Sequence, residues 1–476
     1  MSNFMKGKNM QQTYKDFISE IKDKTIMFCG LGKSNIPFLE MLAKQKINIV
    51  AYDGKTPEKI DSSLLKILKS YESIKLYLGD ESAWNLTPDI LIRTPGISFC
   101  SEKISNMRER GVTVTSEMEI FFELCPCKII GITGSDGKTT VTTIISEILK
   151  QSDIKIHIGG NIGNPLLPKI EKINKNDIAV IELSSFQLLS MRKSPEIAVI
   201  TNISPNHLDV HRNMDEYILA KKQIFLHQNA FSRTVINFDD KISASFTPDI
   251  RGETIYFSTE TSLKNGVWIN KHGDIINSSN GTDDIIMHIE DIKIPGKHNL
   301  KNYLAAIACL KNIVLKDSIV KIAKTFAGVE HRIEFVREIN GIKFYNDSIA
   351  STPVRVISGA LSLFEKNITL IAGGYNKNLS FTEFAEKVAK RVSVLILFGN
   401  SSEKIEKEIL VSQYYDPSKL KIVKVNSMHE AVDKAYKFSK PGDTVILSPA
   451  CASFDHYCNF EERGHDFKNE VNKIKA

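Results

Sequence analysis

Ile129-Ile130-Gly131-Ile132-Thr133 followed by Gly134-Ser135-Asp136-Gly137-Lys138-Thr139-Thr140 decides the fold class of this chain. The first five residues read as a short buried strand, and the apolar spacing from Thr140 to Lys150 reads as a helix. Glycines between a strand and a helix let successive backbone N–H groups turn toward phosphate oxygens, and the helix N-terminus adds a favourable dipole. Lys138 is placed to neutralise the outer phosphates of a nucleotide, and the Thr139 hydroxyl to ligate magnesium. A strict phosphate-loop pattern has glycine at position 132; here Ile132 stands there and Gly134 comes first, so the loop is a shortened variant.

Outward from this loop the pattern is that of alternating strands and helices. Ile178 to Glu182 and Ile197 to Asn202 read as two further strands of the same sheet. In Ile181-Glu182-Leu183-Ser184-Ser185-Phe186-Gln187, a carboxylate ends a strand beside the phosphate loop, where a metal contact is needed. Thr201-Asn202-Ile203-Ser204-Pro205-Asn206-His207-Leu208-Asp209 puts His207 just beyond the next strand end, facing the same crevice. Tyr217-Ile218-Leu219-Ala220-Lys221-Lys222 falls on a helix, and by pattern alone its lysine pair reads as a solvated face. From about Asn237 to Lys293 the chain is polar and weakly patterned, which predicts a side sheet or insertion. A helix around Leu300 to Leu310 closes this block.

Two other blocks flank it. The first opens with Thr25-Ile26-Met27-Phe28-Cys29 and the turn Gly30-Leu31-Gly32-Lys33-Ser34-Asn35, then a helical pattern and a strand ending at Asp53. That is the start of a nucleotide-binding βαβ unit, but it lacks the third glycine of the dinucleotide fingerprint, which speaks against an oxidoreductase. Ile90-Leu91-Ile92 leads into Arg93-Thr94-Pro95-Gly96, another strand ending in a turn. In the third block, strands are expected at Ile342–Tyr345, Ile368–Ala372, Val392–Phe398, Leu420–Val425 and Thr444–Leu447, again a Rossmann-like sheet.

The bulk numbers agree. A chain of 476 residues exceeds one ordinary core, and 42% hydrophobic with 25% charged residues is a globular balance. The net charge of +6 is spread without any lysine–arginine block, so a nucleic-acid surface is not expected. No stretch reaches the roughly 18 apolar residues of a membrane span, and Met1 to Lys24 has no apolar core for a signal peptide, so no membrane insertion is expected. Seven cysteines without regular spacing argue against a disulfide framework and for a cytoplasmic setting. Cys125 and Cys127, separated by Pro126 alone, have the wrong spacing for a zinc pair and read as small apolar residues.

Gly-Ser-Asp-Gly-Lys-Thr-Thr, Glu-Leu-Ser-Ser-Phe-Gln, Asn-His-Leu-Asp and Tyr-x-x-Ala-Lys, in this order, resemble the central domain of the Mur ligases. Gly159-Gly160-Asn161-Ile162-Gly163 and Gly296-Lys297-His298-Asn299-Leu300-Lys301-Asn302 fit the same pattern. Leu447-Ser448-Pro449-Ala450-Cys451-Ala452-Ser453-Phe454-Asp455, with Asn459-Phe460-Glu461-Glu462-Arg463-Gly464, looks like the D-glutamate-adding branch. The likeness runs from about Ile26 to Phe467.

The resemblance implies an α/β protein of three domains. These are an N-terminal Rossmann-like UDP-substrate domain over 1–124, with 1–24 as a possible tail, a central phosphate-loop domain over 125–328 with a small side sheet, and a Rossmann-like D-glutamate domain over 329–476. It implies an ATP-dependent ligase joining D-glutamate to UDP-N-acetylmuramoyl-L-alanine through an acyl phosphate, in a monomer whose C-terminal domain closes over the substrates. Gly134 to Thr140 would hold ATP, with Asn299 and Asn302 at the adenine and Arg332 and Asp347 on the nucleotide. Thr139, Glu182, His207 and a carbamylated Lys221 would hold two magnesium ions, and Asn161 would position the acyl group. Gly32, Lys33, Ser34 and Asn35, with Thr94, Pro95 and Gly96, would hold the uridine diphosphate; Lys377, Ser453, Phe454 and Phe460 would form the D-glutamate site. The chain departs from the family at Ile349, where lysine is frequent, and at Ser135-Asp136, where Thr-Asn is common. A ligase with another acceptor would lack the Ser-Pro-Ala-Cys-Ala-Ser segment, and a regulatory nucleotide binder would not need Glu182, His207 and Lys221 together.

Overall fold

The computed structural model describes residues 13–205, 211–364, 367–375 and 379–475. Three sheets carry the chain. The first consists of β1 (Thr25–Cys29), β2 (Asn48–Asp53), β3 (Ile74–Leu78), β4 (Ile90–Arg93) and β5 (Thr113–Ser116), all parallel, in the order β3-β2-β1-β4-β5. The order reverses beside β1, and at such a switch point the loops after two neighbouring strands part and leave a crevice. Here those loops are Gly30–Ser34 after β1 and Thr94–Gly96 after β4.

The second sheet is built from β6 (Lys128–Thr133), β7 (Ile156–Gly160), β8 (Ile178–Glu182), β9 (Ile197–Ile200), β10 (Arg233–Asn237) and β11 (Glu253–Ser258), followed by β12 (Gly266–Ile269), β13 (Asp274–Ser279) and β14 (Thr282–His288). Its order is β14-β13-β12-β11-β10-β9-β6-β8-β7. β6 lies between β8 and β9, so the loops after all three strands open on one edge. The side sheet expected in the polar stretch is the antiparallel trio β12 to β14, hydrogen-bonded onto the parallel sheet through β11. The third sheet holds β15 (Glu334–Ile339), β16 (Ile342–Asn346), β17 (Ile368–Ala372), β18 (Val392–Leu397), β19 (Lys421–Lys424) and β20 (Thr444–Leu447), in the order β15-β16-β20-β17-β18-β19. Only β15 runs antiparallel, as a hairpin with β16.

Two compact units contain these sheets. One runs to Asp291 and includes His298–Ala323, with the first two sheets; the other comprises Ile292–Lys297 and the chain from Lys324 onward. In the first unit a core joins Phe28 and Ile92 of the first sheet, and Phe38 on the helix after β1, to Phe121, Ile181 and Phe225. In the second, apolar clusters cover both faces of the third sheet, as a sheet with near-continuous Val, Ile and Leu runs requires.

The N-terminus corrects one expectation. Of the possible tail over 1–24, residues Tyr14–Ile21 form a helix instead of fraying. Thr13 and Asp16 cap it reciprocally, and Phe17 and Ile21, four residues apart on one face, are buried in the first core. No helix among the described residues is long and apolar enough to cross a membrane.

Candidate active site

Gly134 and Gly137 give the phosphate loop its shape. Their φ angles are 150° and 78°, which non-glycine residues rarely adopt. A Cβ on Gly134 would lie 1.8 Å from Thr201 Oγ1, and one on Gly137 would lie 2.4 Å from Asn302 Oδ1. The loop is thus pressed between the end of β9 and the helix Lys297–Cys309. Thr201 Oγ1 donates to the Asp136 carbonyl at 2.5 Å, and Asn202 Oδ1 accepts from the Asp136 N–H at 3.0 Å. Ser135 Oγ shares a hydrogen bond of 2.9 Å with the Tyr217 hydroxyl, so the helix Met214–Leu226 braces the loop from below. Asn299 and Asn302 are buried and joined at 3.0 Å, beside Gly137.

Lys138 opens the helix Lys138–Leu149 and folds its Nζ back onto the carbonyls of Gly134 and Ser135, at 2.8 and 2.9 Å. Glu182 ends β8 and is 1% exposed. Its Oε1 accepts from Asn161 Nδ2 at 2.9 Å, while its Oε2 is buried without a hydrogen-bond partner among the described residues. Leaving such an oxygen unsatisfied costs on the order of 1–3 kcal/mol or more, a cost that a ligand bound there would remove. Thr139, the second residue of the helix Lys138–Leu149, adds its hydroxyl, so the donors that the described residues offer here are oxygens, which suit magnesium.

Lys221 and Lys222 part company. Lys222 pairs with Asp249 near the surface, whereas Lys221 is 1% exposed and donates to the Gly134 carbonyl at 2.7 Å. Burial, reinforced by the nearby Lys138 ammonium, pulls the Lys221 amine down to about 6; Asp136 and Glu182 oppose the shift only partly. A solvated face was the reading from the residues alone. The helix instead turns Tyr217, Lys221 and Ile224 inward together, at i, i+4 and i+7.

On the first sheet, the Gly30 turn packs against Thr94, with a φ of 89° and only 2.7 Å between a Cβ placed there and Thr94 Oγ1. Ser34, Pro95 and Gln187 line one small cleft with Glu117, whose carboxyl burial pushes up to about 7. Lys33 and Gly96 are exposed, and Gly32 and Thr94 are half-buried. Asn35 is fully buried: its amide donates to the Gly30 carbonyl at 2.9 Å and braces the turn from beneath.

The second unit gathers the C-terminal residues. Asp347 follows β16, and its carboxylate accepts from Ser448 Oγ at 2.6 Å and from the Ile333 N–H at 3.3 Å. Burial still pushes it up to about 7. Ser453 is buried, and Phe454 is 62% exposed with its ring 6.2 Å from Tyr375. Phe460 begins the helix Phe460–Lys473, capped by Asn459, and its carbonyl accepts from Ser348 Oγ. Arg332 starts the segment just before β15. His207 and Lys377 lie outside the described residues.

Three positioning residues escaped the sequence reading. Arg463 is fully buried and ties Ser348 Oγ, the Ser348 carbonyl and the Ala452 carbonyl together at 2.9–3.1 Å. Arg93, 1% exposed at the end of β4, donates to the Phe186 carbonyl at 3.1 Å and to Ser190 Oγ at 2.6 Å, and Ser190 donates on to Glu119. It links the first sheet to the helix Ser185–Leu188, which starts three residues after Glu182. His211 stacks on Phe186 with ring centroids 5.0 Å apart and meets Ser185 Oγ at 2.9 Å. The signals in the sequence were the Thr-Pro-Gly turn directly after Arg93 and the Asn459–Gly464 stretch that contains Arg463; the partnerships themselves span distances that pattern does not report.

The arrangement can cradle a polyphosphate, hold a hard divalent cation and keep a neutral amine beside both. Known families match it. Residues 132–310 match the Mur ligase middle domain, and residues 331–451 match the Mur ligase, glutamate ligase domain. The chain is 47% identical to a UDP-N-acetylmuramoylalanine–D-glutamate ligase of Acetivibrio thermocellus, over 98% of this chain and 100% of that one. It is 44% identical, at the same coverage, to the enzyme of that name from Clostridium acetobutylicum. Among solved structures, the UDP-N-acetylmuramate-alanine ligase from Thermotoga maritima shares the fold with a TM-score of 0.52 at 17% identity, over 95% of this chain and all of that one.

Proposed function

The chain belongs to the Mur ligase family, and on that premise we propose that it joins D-glutamate to UDP-N-acetylmuramoyl-L-alanine with cleavage of ATP to ADP and phosphate, a step of peptidoglycan precursor synthesis. The observation that carries the chemistry is the convergence of the phosphate loop, the open Glu182 oxygen and the buried Lys221 amine on one crevice. The full-length relatives carry the choice of substrates.

In this reading the alanyl carboxylate attacks the γ-phosphorus of ATP and gives an acyl phosphate and ADP. The D-glutamate amine then attacks the activated carbonyl, and phosphate leaves as the amide forms. Lys138 and the loop N–H groups stabilise the charge that spreads over the transferring phosphoryl oxygens, which is most of what such a transfer requires. Thr139, Glu182, His207 and Lys221 would hold two magnesium ions, whose charge assists the same oxygens. Lys221 would do so as a carbamate: an amine held near 6 is neutral at pH 7 and can take up carbon dioxide with loss of a proton, which gives an anion with oxygen ligands. Asn161, tied to Glu182, orients the acyl group.

Asn299 and Asn302 face the adenine, and Arg332 and Asp347 contact the nucleotide. Gly32 to Asn35 and Thr94 to Gly96 hold the uridine diphosphate, Asn35 by supporting its turn. Lys377, Ser453, Phe454 and Phe460 receive D-glutamate. Three domains divided at 1–124, 125–328 and 329–476, a monomeric state and a cytoplasmic location complete the proposal.

Oxygen transfer tests it. With the alanyl carboxylate labelled by oxygen-18, one labelled oxygen should appear in the released phosphate for each amide formed. Amide formation with no label in phosphate would overturn the acyl-phosphate route.

A further inference from the structure

Cys125, Pro126 and Cys127 connect the helix Glu117–Leu124 to β6, the strand whose far end is the phosphate loop. Cys125 is extended, with φ −64° and ψ 118°, as a residue before proline prefers. In extended chain, residues i and i+2 project from the same side. Both thiols accordingly enter one core, with their Sγ atoms 3.5 Å apart. The residues are 4% and 5% exposed.

The other buried cysteines behave differently. Cys29, Cys309 and Cys451 have no thiol neighbour, and burial pushes them up to about 12, 12 and 11. Cys125 moves the other way: the hydrogen bond from the Cys127 thiol lowers it by more than burial raises it. The same contact, with burial, pushes Cys127 up. The contact between the two sulfurs, in which either can donate, sets this pair apart from the lone buried thiols and shifts Cys125 down and Cys127 up, so Cys125 is the better placed to attack and Cys127 to resolve.

We propose that Cys125 and Cys127 form a dithiol–disulfide couple, a two-electron redox site in the connector that leads into the phosphate-loop strand. Burial limits the oxidant to a small one, and the class assigned is hydrogen peroxide. Cys125 sulfur attacks one peroxide oxygen; the O–O bond breaks, and the departing hydroxide takes the thiol proton and leaves as water. The sulfenic acid so formed is attacked by Cys127 sulfur; the S–O bond breaks, the S–S bond forms, and the Cys127 proton leaves with the hydroxyl as a second water. Two thiols and one peroxide give one disulfide and two waters. A disulfide holds its sulfurs about 2.05 Å apart, so the 3.5 Å between the two Sγ atoms must close. Closure therefore shortens the connector, and the strained bond is readily reduced.

Both cysteines fall in one tryptic peptide, Gly111–Lys128, so the test is direct. The full-length protein is treated with graded hydrogen peroxide, alkylated under denaturing conditions and digested. Gly111–Lys128 should lose two hydrogens and both alkylation sites at least several-fold faster than Cys309 is oxidised, and dithiothreitol should restore it. In Cys127→Ser, whose hydroxyl keeps a donor beside Cys125, dimedone added as the peroxide-treated protein is denatured should trap a sulfenic acid on Cys125. Retention of both alkylated thiols in wild-type protein, while Cys100 or Cys458 oxidises, would overturn the proposal. So would a Cys127→Ser variant, folded by its thermal transition, that gives no adduct on Cys125.

Discussion

Around the phosphate loop, buried charges are left short of partners; around Asp347 and Arg463 they are filled. Among the described residues one carboxylate oxygen of Glu182 has no hydrogen-bond partner, and Lys221 gives up its charge to remain buried. Arg463, by contrast, meets Ser348 and Ala452 through all three of its nitrogens, and both oxygens of Asp347 accept hydrogen bonds. The difference separates a centre awaiting ligands from a scaffold that holds other residues in place. Open valences are tolerated where a bound group completes them, and saturated networks are what fix the geometry of neighbours such as Ser453 and Phe460.

Substitutions can break that comparison. Lys138→Ala should show the largest effect, a fall in turnover of about a thousand-fold or more, several kcal/mol of transition-state stabilisation. Arg463→Met should act on folding instead, lowering stability by about 3 kcal/mol in urea melts because carbonyls and a hydroxyl lose their donor. Glu182→Gln should cost about a hundred-fold in turnover, and its melting temperature should hold or rise, since an unsatisfied buried charge disappears. A clear loss of stability there would mean that Glu182 belongs to the scaffold class.

Two smaller effects sharpen the contrast between adjacent lysines. Turnover should fall as pH drops through about 6, because the Lys221 amine then protonates and no longer takes up carbon dioxide. Lys221→Ala should remove that dependence on carbon dioxide and regain activity with short carboxylic acids; a variant indifferent to both would sink the carbamate. Lys222→Ala should change stability by under about 0.5 kcal/mol, since its ion pair with Asp249 is near the surface.

The same division explains what the residues reveal in advance. Phosphate-loop chemistry is local: glycine angles, a strand end and a helix start lie within a dozen residues, and all three are legible as pattern. Glu182 follows from topology, because a neighbouring parallel strand must end beside the loop. Strand β7 and hairpin strand β15 were not expected. β7 reads Ile-His-Ile-Gly-Gly and is only half-buried, and β15 reads Glu-Phe-Val-Arg-Glu-Ile at a sheet edge, with no strict alternation and only Ile339 buried. Burial of Lys221, the Arg93 link and the Arg463 network depend on contacts 87 to 115 residues apart, which no local period encodes.

The identity of the acceptor amino acid decides the proposed reaction. Phosphate release from ATP should be measured with UDP-N-acetylmuramoyl-L-alanine present, adding D-glutamate, L-glutamate, L-alanine, L-lysine or meso-diaminopimelate singly. Release is expected with D-glutamate alone, together with a product heavier by one glutamyl residue. Release that depends on a different amino acid, or on none, would contradict it.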